Sequence, residues 1–175
     1  MRSPLDPLYR LTAFLSVAAL ISIAAIILGD VILRQFGGQI KSSDDFAGYA
    51  LVATGMLGLA PTYRRGDHIR VGLLIDRLSG QSRKALELLG LIFGVVAIGW
   101  ASWWTGEFSY TSWRFNEVSQ GLIAIPLWIP QSLMFFGLFV LWLAMVEDII
   151  RVLTGNDPSY LANASAEAEL PSFER

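Results

Sequence analysis

The chain has 175 residues, 54% of them hydrophobic before its 16 glycines are counted, against about 45–50% with Gly included in ordinary globular domains. It holds 13 Lys and Arg, 15 Asp and Glu, one His and no Cys, for a formal net charge of −2. These counts exclude a disulfide framework, a thiolate metal site, an iron–sulfur cluster, a Cys nucleophile and a bis-histidine haem, and the near-neutral charge offers nucleic acid no electrostatic footprint.

Every Asp, Glu, Lys and Arg lies outside four stretches, residues 11–29, 46–63, 88–106 and 118–146. A spanning helix needs about 20 apolar residues. The pattern therefore predicts an all-α integral membrane protein with four transmembrane helices, at about 11–33, 45–63, 85–109 and 126–153, within a domain of residues 1–154.

Arg2 and Arg10 before the first apolar run raise the alternative of a cleaved signal peptide. A signal core is only about 7–15 residues long, whereas this run continues past Asp30 through Val31, Ile32 and Leu33 to Arg34. The expectation is a retained helix. In the loop that follows, Gly37-Gly38 supplies a turn, and Ser42-Ser43-Asp44-Asp45 reads as a helix start whose acids favour the positive end of the dipole. Pro61 is expected to kink or end the second helix near its far end.

Residues 64–84 form a basic connection. Val71, Leu74, Ile75 and Leu78 fall at i, i+3, i+4 and i+7, with Arg70 and Arg77 beside the stripe, which predicts a short interfacial helix lying in the membrane plane. Arg64, Arg65, His68, Arg70 and Arg77 are its candidate anchors to phospholipid headgroups. His68, next to Asp67 and several arginines, is expected to be solvated and not a metal ligand.

The third span ends in Trp103, Trp104 and Trp113, and the fourth starts near Trp128, so these four are candidate outer interfacial anchors. Pro126 and Pro130 suit the first turn of the fourth helix. The charge-free stretch containing them exceeds one crossing, so its early part, about residues 118–125, is expected to be a loop or re-entrant segment. From 155 to 175 the apolar pattern stops and Ala, Ser and Glu predominate, the composition of a disordered cytoplasmic tail; the sequon Asn163-Ala164-Ser165 would be inert there.

Lys and Arg near span ends set orientation. With the N-terminus inside, Arg2, Arg10, Arg64, Arg65, Arg70, Arg77, Arg83, Lys84, Arg151 and Arg175 fall on the inner side and only Arg34, Lys41 and Arg114 on the outer. Both termini are thus expected in the cytoplasm.

A transporter that works alone places ionisable groups near the bilayer midplane, and the four stretches supply none. Thr12, Ser16, Ser22, Thr54 and Ser102 are expected to bond to their own helices. Gly55, Gly58, Gly90, Gly94 and Gly99 are small enough for close helix approach, Gly90 and Gly94 at the i, i+4 spacing. The chain reads as a membrane protein that packs against something.

The segment Arg64-Arg65-Gly66-Asp67-His68-Ile69-Arg70-Val71 resembles the basic, Gly, x, His-Ile, x, Val pattern of the small membrane subunit, the Q or DctQ-like component, of tripartite ATP-independent periplasmic (TRAP) transporters. Asp44-Asp45 stands where that family has an acidic start to its second span, and Ile125-Pro126-Leu127-Trp128-Ile129-Pro130 is similar to its entry to the fourth. Gly72 departs from the Asp that often follows the Val, and the aromatic residue usual before the acidic pair is missing.

The resemblance implies a non-catalytic subunit, without cofactors, of a sodium-coupled importer of organic anions in a bacterial inner membrane. Its partners would be a large membrane subunit (M), which carries solute and ion, and a periplasmic solute-binding protein. This chain would scaffold the first and help dock the second, with Arg34, Lys41, Arg114, Asn116 and Glu117 as candidate docking residues and the inner-loop arginines also holding the large subunit. A self-sufficient homo-oligomeric four-helix transporter or channel is the alternative, and a purely structural assembly factor a third reading.

Overall fold

The computed structural model describes residues 5–66, 81–155 and 158–160. The expected interfacial helix, with His68, Arg70 and Arg77, lies outside the described residues, as does the tail beyond Tyr160 with its sequon.

The described residues form four helices: α1 (Asp6–Gln35), α2 (Ser43–Arg65), α3 (Gln81–Arg114) and α4 (Trp128–Leu153). Three of them, over Asp6–Gln35, Leu88–Arg114 and Trp128–Leu153, are long and apolar enough to cross a membrane. In α2 the apolar residues are diluted by Gly48, Tyr49, Thr54, Gly55, Gly58, Pro61 and Thr62. It can carry them because it packs against both α1 and α4, which removes part of its surface from any surrounding hydrocarbon.

The helices stand in the row α1–α2–α4–α3: each neighbouring pair packs extensively, while α1 only grazes α4. A row encloses little, and among the described residues its buried cluster lies where α1, α2 and α4 meet: Tyr9, Ala60, Val140, Leu141 and Ala144. The flanks are open. On α1, Phe14, Ile21 and Leu28 are each more than 60% exposed, and on α3 Phe93 and Trp103 more than 70%.

Close helix approach is set by particular glycines. Gly137 of α4 lies against the Met56 carbonyl of α2, and a methyl group there would meet backbone. Gly94, Gly99 and Gly106 of α3 receive Met145, Trp142 and Phe135 of α4, and Gly58 of α2 faces Ser16 of α1. Gly55 and Gly90 have open space around them, so the Gly90/Gly94 spacing does not act as a pair.

The helix ends follow local chemistry. Gly37, at φ +77°, ends α1: its N–H donates to the Arg34 carbonyl and the Gly38 N–H to Leu33, at 3.2 and 2.9 Å, the two bonds of a Schellman cap. Gly66, at φ +87°, likewise ends α2, its N–H donating to the Tyr63 carbonyl at 3.1 Å, so the Gly of the basic motif is a helix stop. The α2 helix runs through Pro61 to Arg65. Pro130 sits in the first turn of α4, where its missing N–H costs nothing. Between α3 and α4 the chain makes a narrow loop closed by pairing of Val118 with Pro126 and by the Ser119 N–H donating to Ile125 at 2.8 Å.

Candidate functional site

The two ends of the bundle hold its polar chemistry. Among the described residues, Thr12, Ser22 and Thr54 donate to carbonyls of their own helices, at Tyr9, Ala19 and Ala50. Ser16 does not; its hydroxyl donates across to the Thr54 carbonyl of α2 at 2.8 Å.

At the end where α1 stops and α2 begins, Asp30 is 5% exposed. One carboxylate oxygen accepts from the Ile40 N–H at 2.7 Å, and the other pairs with Arg34, one turn on, at 2.7 Å. Asp30 thereby ties the connecting loop to α1. Ser42 precedes α2 with φ 58°, and its hydroxyl is not used as a helix cap; it accepts from the Ile123 N–H of the α3–α4 loop at 3.1 Å. Gly121 lies directly against Asp45, where a larger residue would collide. The two loops thus share a shallow cleft of about 370 Å³, lined by Arg34, Gln39, Ser42–Asp45 and the loop tip at residues 120–122.

Of the candidate docking residues, Arg34 lines this cleft with its side chain half exposed while bound to Asp30. Lys41 is exposed beside it. Arg114 and Asn116 are exposed at the end of α3, and Asn116 adopts φ 52° to start the turn. Glu117 builds the loop: its carboxylate accepts from Ser112 at 2.6 Å and its carbonyl from the Leu127 N–H at 3.0 Å. Sequence reasoning missed Asp30, Ser42 and Gly121; only the i, i+4 spacing of Asp30 and Arg34 was there to be read.

The four candidate Trp anchors are exposed on the α3–α4 side of the same end, and Trp100 extends the stripe along α3. Trp103, Trp113 and Trp128, with Glu107, Tyr110 and Phe135, line an aromatic cleft of about 540 Å³.

The opposite end carries an ionic and hydrogen-bonded network. Arg64 of α2 pairs with Asp6 of α1 at 2.7 Å and lies 4.3 Å over the Tyr9 ring. The Tyr9 hydroxyl donates to Glu147 of α4 at 3.1 Å, and Glu147 pairs with Arg151 at 2.9 Å. Asp148 is fully buried; it accepts from the Tyr63 hydroxyl at 3.0 Å and from the Ser159 N–H and hydroxyl at 2.8 and 2.9 Å. Pro158, Ser159 and Tyr160 are buried, and the Tyr160 ring meets that of Tyr63 edge-on at 5.8 Å. Pro158, Ser159 and Tyr160, within the stretch expected to be a tail, are therefore packed on the helices. Arg64 is held in this network, and Arg65 is exposed next to it.

Charged groups of the described helices gather at the two ends and leave the middles apolar. Residues 23–155 match the protein family described as tripartite ATP-independent periplasmic transporters, DctQ component. No curated protein matches the chain.

Proposed function

From its membership of the DctQ component family of tripartite ATP-independent periplasmic transporters, the small membrane subunit of these carriers, we propose that this chain is the fixed scaffold of a sodium-coupled importer of organic anions. The family works with a large membrane component and a periplasmic binding component. In this reading the chain lies in a bacterial inner membrane with four spans, both termini cytoplasmic, and the 71–78 segment as an interfacial helix.

The observation that carries the proposal is the open row. A bundle with a small buried cluster and wide apolar flanks on α1 and α3 gains most by covering those flanks with another membrane protein, where close packing adds dispersion energy that lipid tails supply less well. The large subunit is the occupant the family provides. Arg64, Arg65, His68, Arg70 and Arg77 hold the inner side to headgroups and to that subunit; Trp103, Trp104, Trp113 and Trp128 fix the outer depth. Arg34, Lys41, Arg114, Asn116 and Glu117 belong to the face that receives the loaded binding protein.

Affinity purification of the chain from its native membrane in mild detergent, followed by mass spectrometry, tests this. A large polytopic partner at about one-to-one stoichiometry is expected. Recovery only as a homo-oligomer, repeated in lipid-preserving conditions, would overturn the proposal in favour of a self-sufficient transporter or channel.

A further inference from the structure

The end of the bundle where α1 begins and α2 finishes contains a cleft of about 270 Å³ whose walls include Arg10, Arg64 and Arg65, with Asp6 and Tyr9. Three guanidinium groups face one carboxylate. Asp6 is committed to Arg64 at 2.7 Å, and the same guanidinium rests on the Tyr9 ring, so Arg64 is a fixed wall. Arg10 and Arg65 are exposed, and no acid among the described residues pairs with either. Among the described residues that line it, the cleft keeps an excess of two positive charges, on the side chain best shaped for bidentate contact with phosphate oxygens.

A second feature adjoins the first. Phe14, Val17 and Ile21 follow Arg10 along one face of α1 and are 70%, 55% and 63% exposed. A cationic cleft opening onto an apolar strip suits one molecule that carries both phosphate and hydrocarbon.

We infer that the cleft formed by Arg10, Arg64 and Arg65 binds the headgroup phosphate of an anionic membrane lipid, whose acyl chains lie along Phe14, Val17 and Ile21. The inference rests on the reading of the inner arginines as anchors and deepens it, adding Arg10 and committing the site to lipid. A soluble phosphate would use the cleft alone. Basic pockets between transmembrane helices hold anionic headgroups by this combination, and the excess charge selects an anionic lipid over a zwitterionic one that carries the same phosphate.

The test uses the full chain in mild detergent, titrated with phosphatidylglycerol or with phosphatidylcholine of identical acyl chains and read by native mass spectrometry. Phosphatidylglycerol is expected to bind in preference, and equimolar glycerol phosphate not to displace it. The double variant Arg10→Gln/Arg65→Gln leaves the Asp6–Arg64 pair intact and is expected to lose affinity about 30-fold, which corresponds to about 1 kcal/mol per juxtamembrane Arg. Arg10→Lys/Arg65→Lys keeps the charge and is expected to retain most of the binding. Equal binding of the two lipids, unchanged affinity in the Gln variant, or displacement by glycerol phosphate would overturn the inference. Co-purification of the large subunit is scored separately, so recovery of the chain as a homo-oligomer alone would remove the transporter reading while leaving the lipid result standing.

Discussion

Replacing Gly137 with Ala drives a methyl group into the backbone of α2. The added Cβ would lie 2.5 Å from the Met56 carbonyl carbon and 2.9 Å from the Met56 Cβ, and it would press on the carbonyl oxygen as well. Carbon atoms are at their optimum near 3.5–4.0 Å, so α2 and α4 would have to separate by roughly 1 Å. Backbone cannot rotate away as a side chain can. The separation would loosen Val140, Leu141 and Ala144 from Ala60, most of the buried cluster shared by α1, α2 and α4. Overpacking of this kind costs about 1–3 kcal/mol, and the upper end applies because the obstacle is main chain. Against it stands the helix preference of Ala over Gly, about 0.8–1.0 kcal/mol. The net expectation is a loss of about 2 kcal/mol. Gly55→Ala is the matched control: nothing lies within 4 Å of that position, so only the gain of up to about 1 kcal/mol remains. Unfolding of both variants in mixed micelles with rising dodecyl sulfate, followed by far-ultraviolet circular dichroism, measures the difference of about 3 kcal/mol between them, the cost at one site plus the gain at the other. Equal midpoints for the two variants would refute the claim that Gly137 sets the α2–α4 approach.

Asp148→Asn should weaken the clamp on Ser159 by about 1.5–3 kcal/mol, the range for bonds to a charged acceptor, and limited proteolysis should then cut beyond Gly155 faster than in the wild type; an unchanged cleavage rate would count against the clamp. Asp30→Asn removes the charge that holds the Ile40 N–H and Arg34, and hydrogen exchange at Ile40 should quicken by about tenfold or more, equivalent to about 1.4 kcal/mol or more, while amides in the middle of α1 keep their protection. Charge reversal at Lys41 and Arg114 should slow uptake at limiting binding protein without lowering the yield of the complex; wild-type kinetics would take these residues out of the docking face.

Reading from residues alone went furthest where the governing physics is local. The charge-free stretches lie within helices, except that the fourth begins in the closed loop at Val118. Gly66, read as part of a family pattern, has the left-handed backbone that ends α2. Ser42 reads as part of a helix start, and α2 does begin at the next residue, but its hydroxyl serves the distant Ile123 N–H instead. Thr12, Ser22 and Thr54 bond to their own helices, as isolated hydroxyls in apolar segments must. Ser16 escapes that rule because Gly58 lets α1 approach α2 closely enough for a shared bond.

By itself, the sequence determined the helical segments, their end-loaded charges and the family, because hydropathy, charge spacing and a short motif are all properties of neighbours along the chain. Only the tertiary structure decided the row α1–α2–α4–α3, and with it which glycines are contacts: Gly137, Gly94, Gly99 and Gly106, but neither Gly55 nor Gly90. It also decided that Asp30 and Asp148 are buried with their donors, and that Arg10 joins Arg64 and Arg65 at one cleft. Apart from the local pairing of Asp30 with Arg34 and Ile40, these are relations fixed by how the helix faces fit together, which no local pattern in the chain encodes.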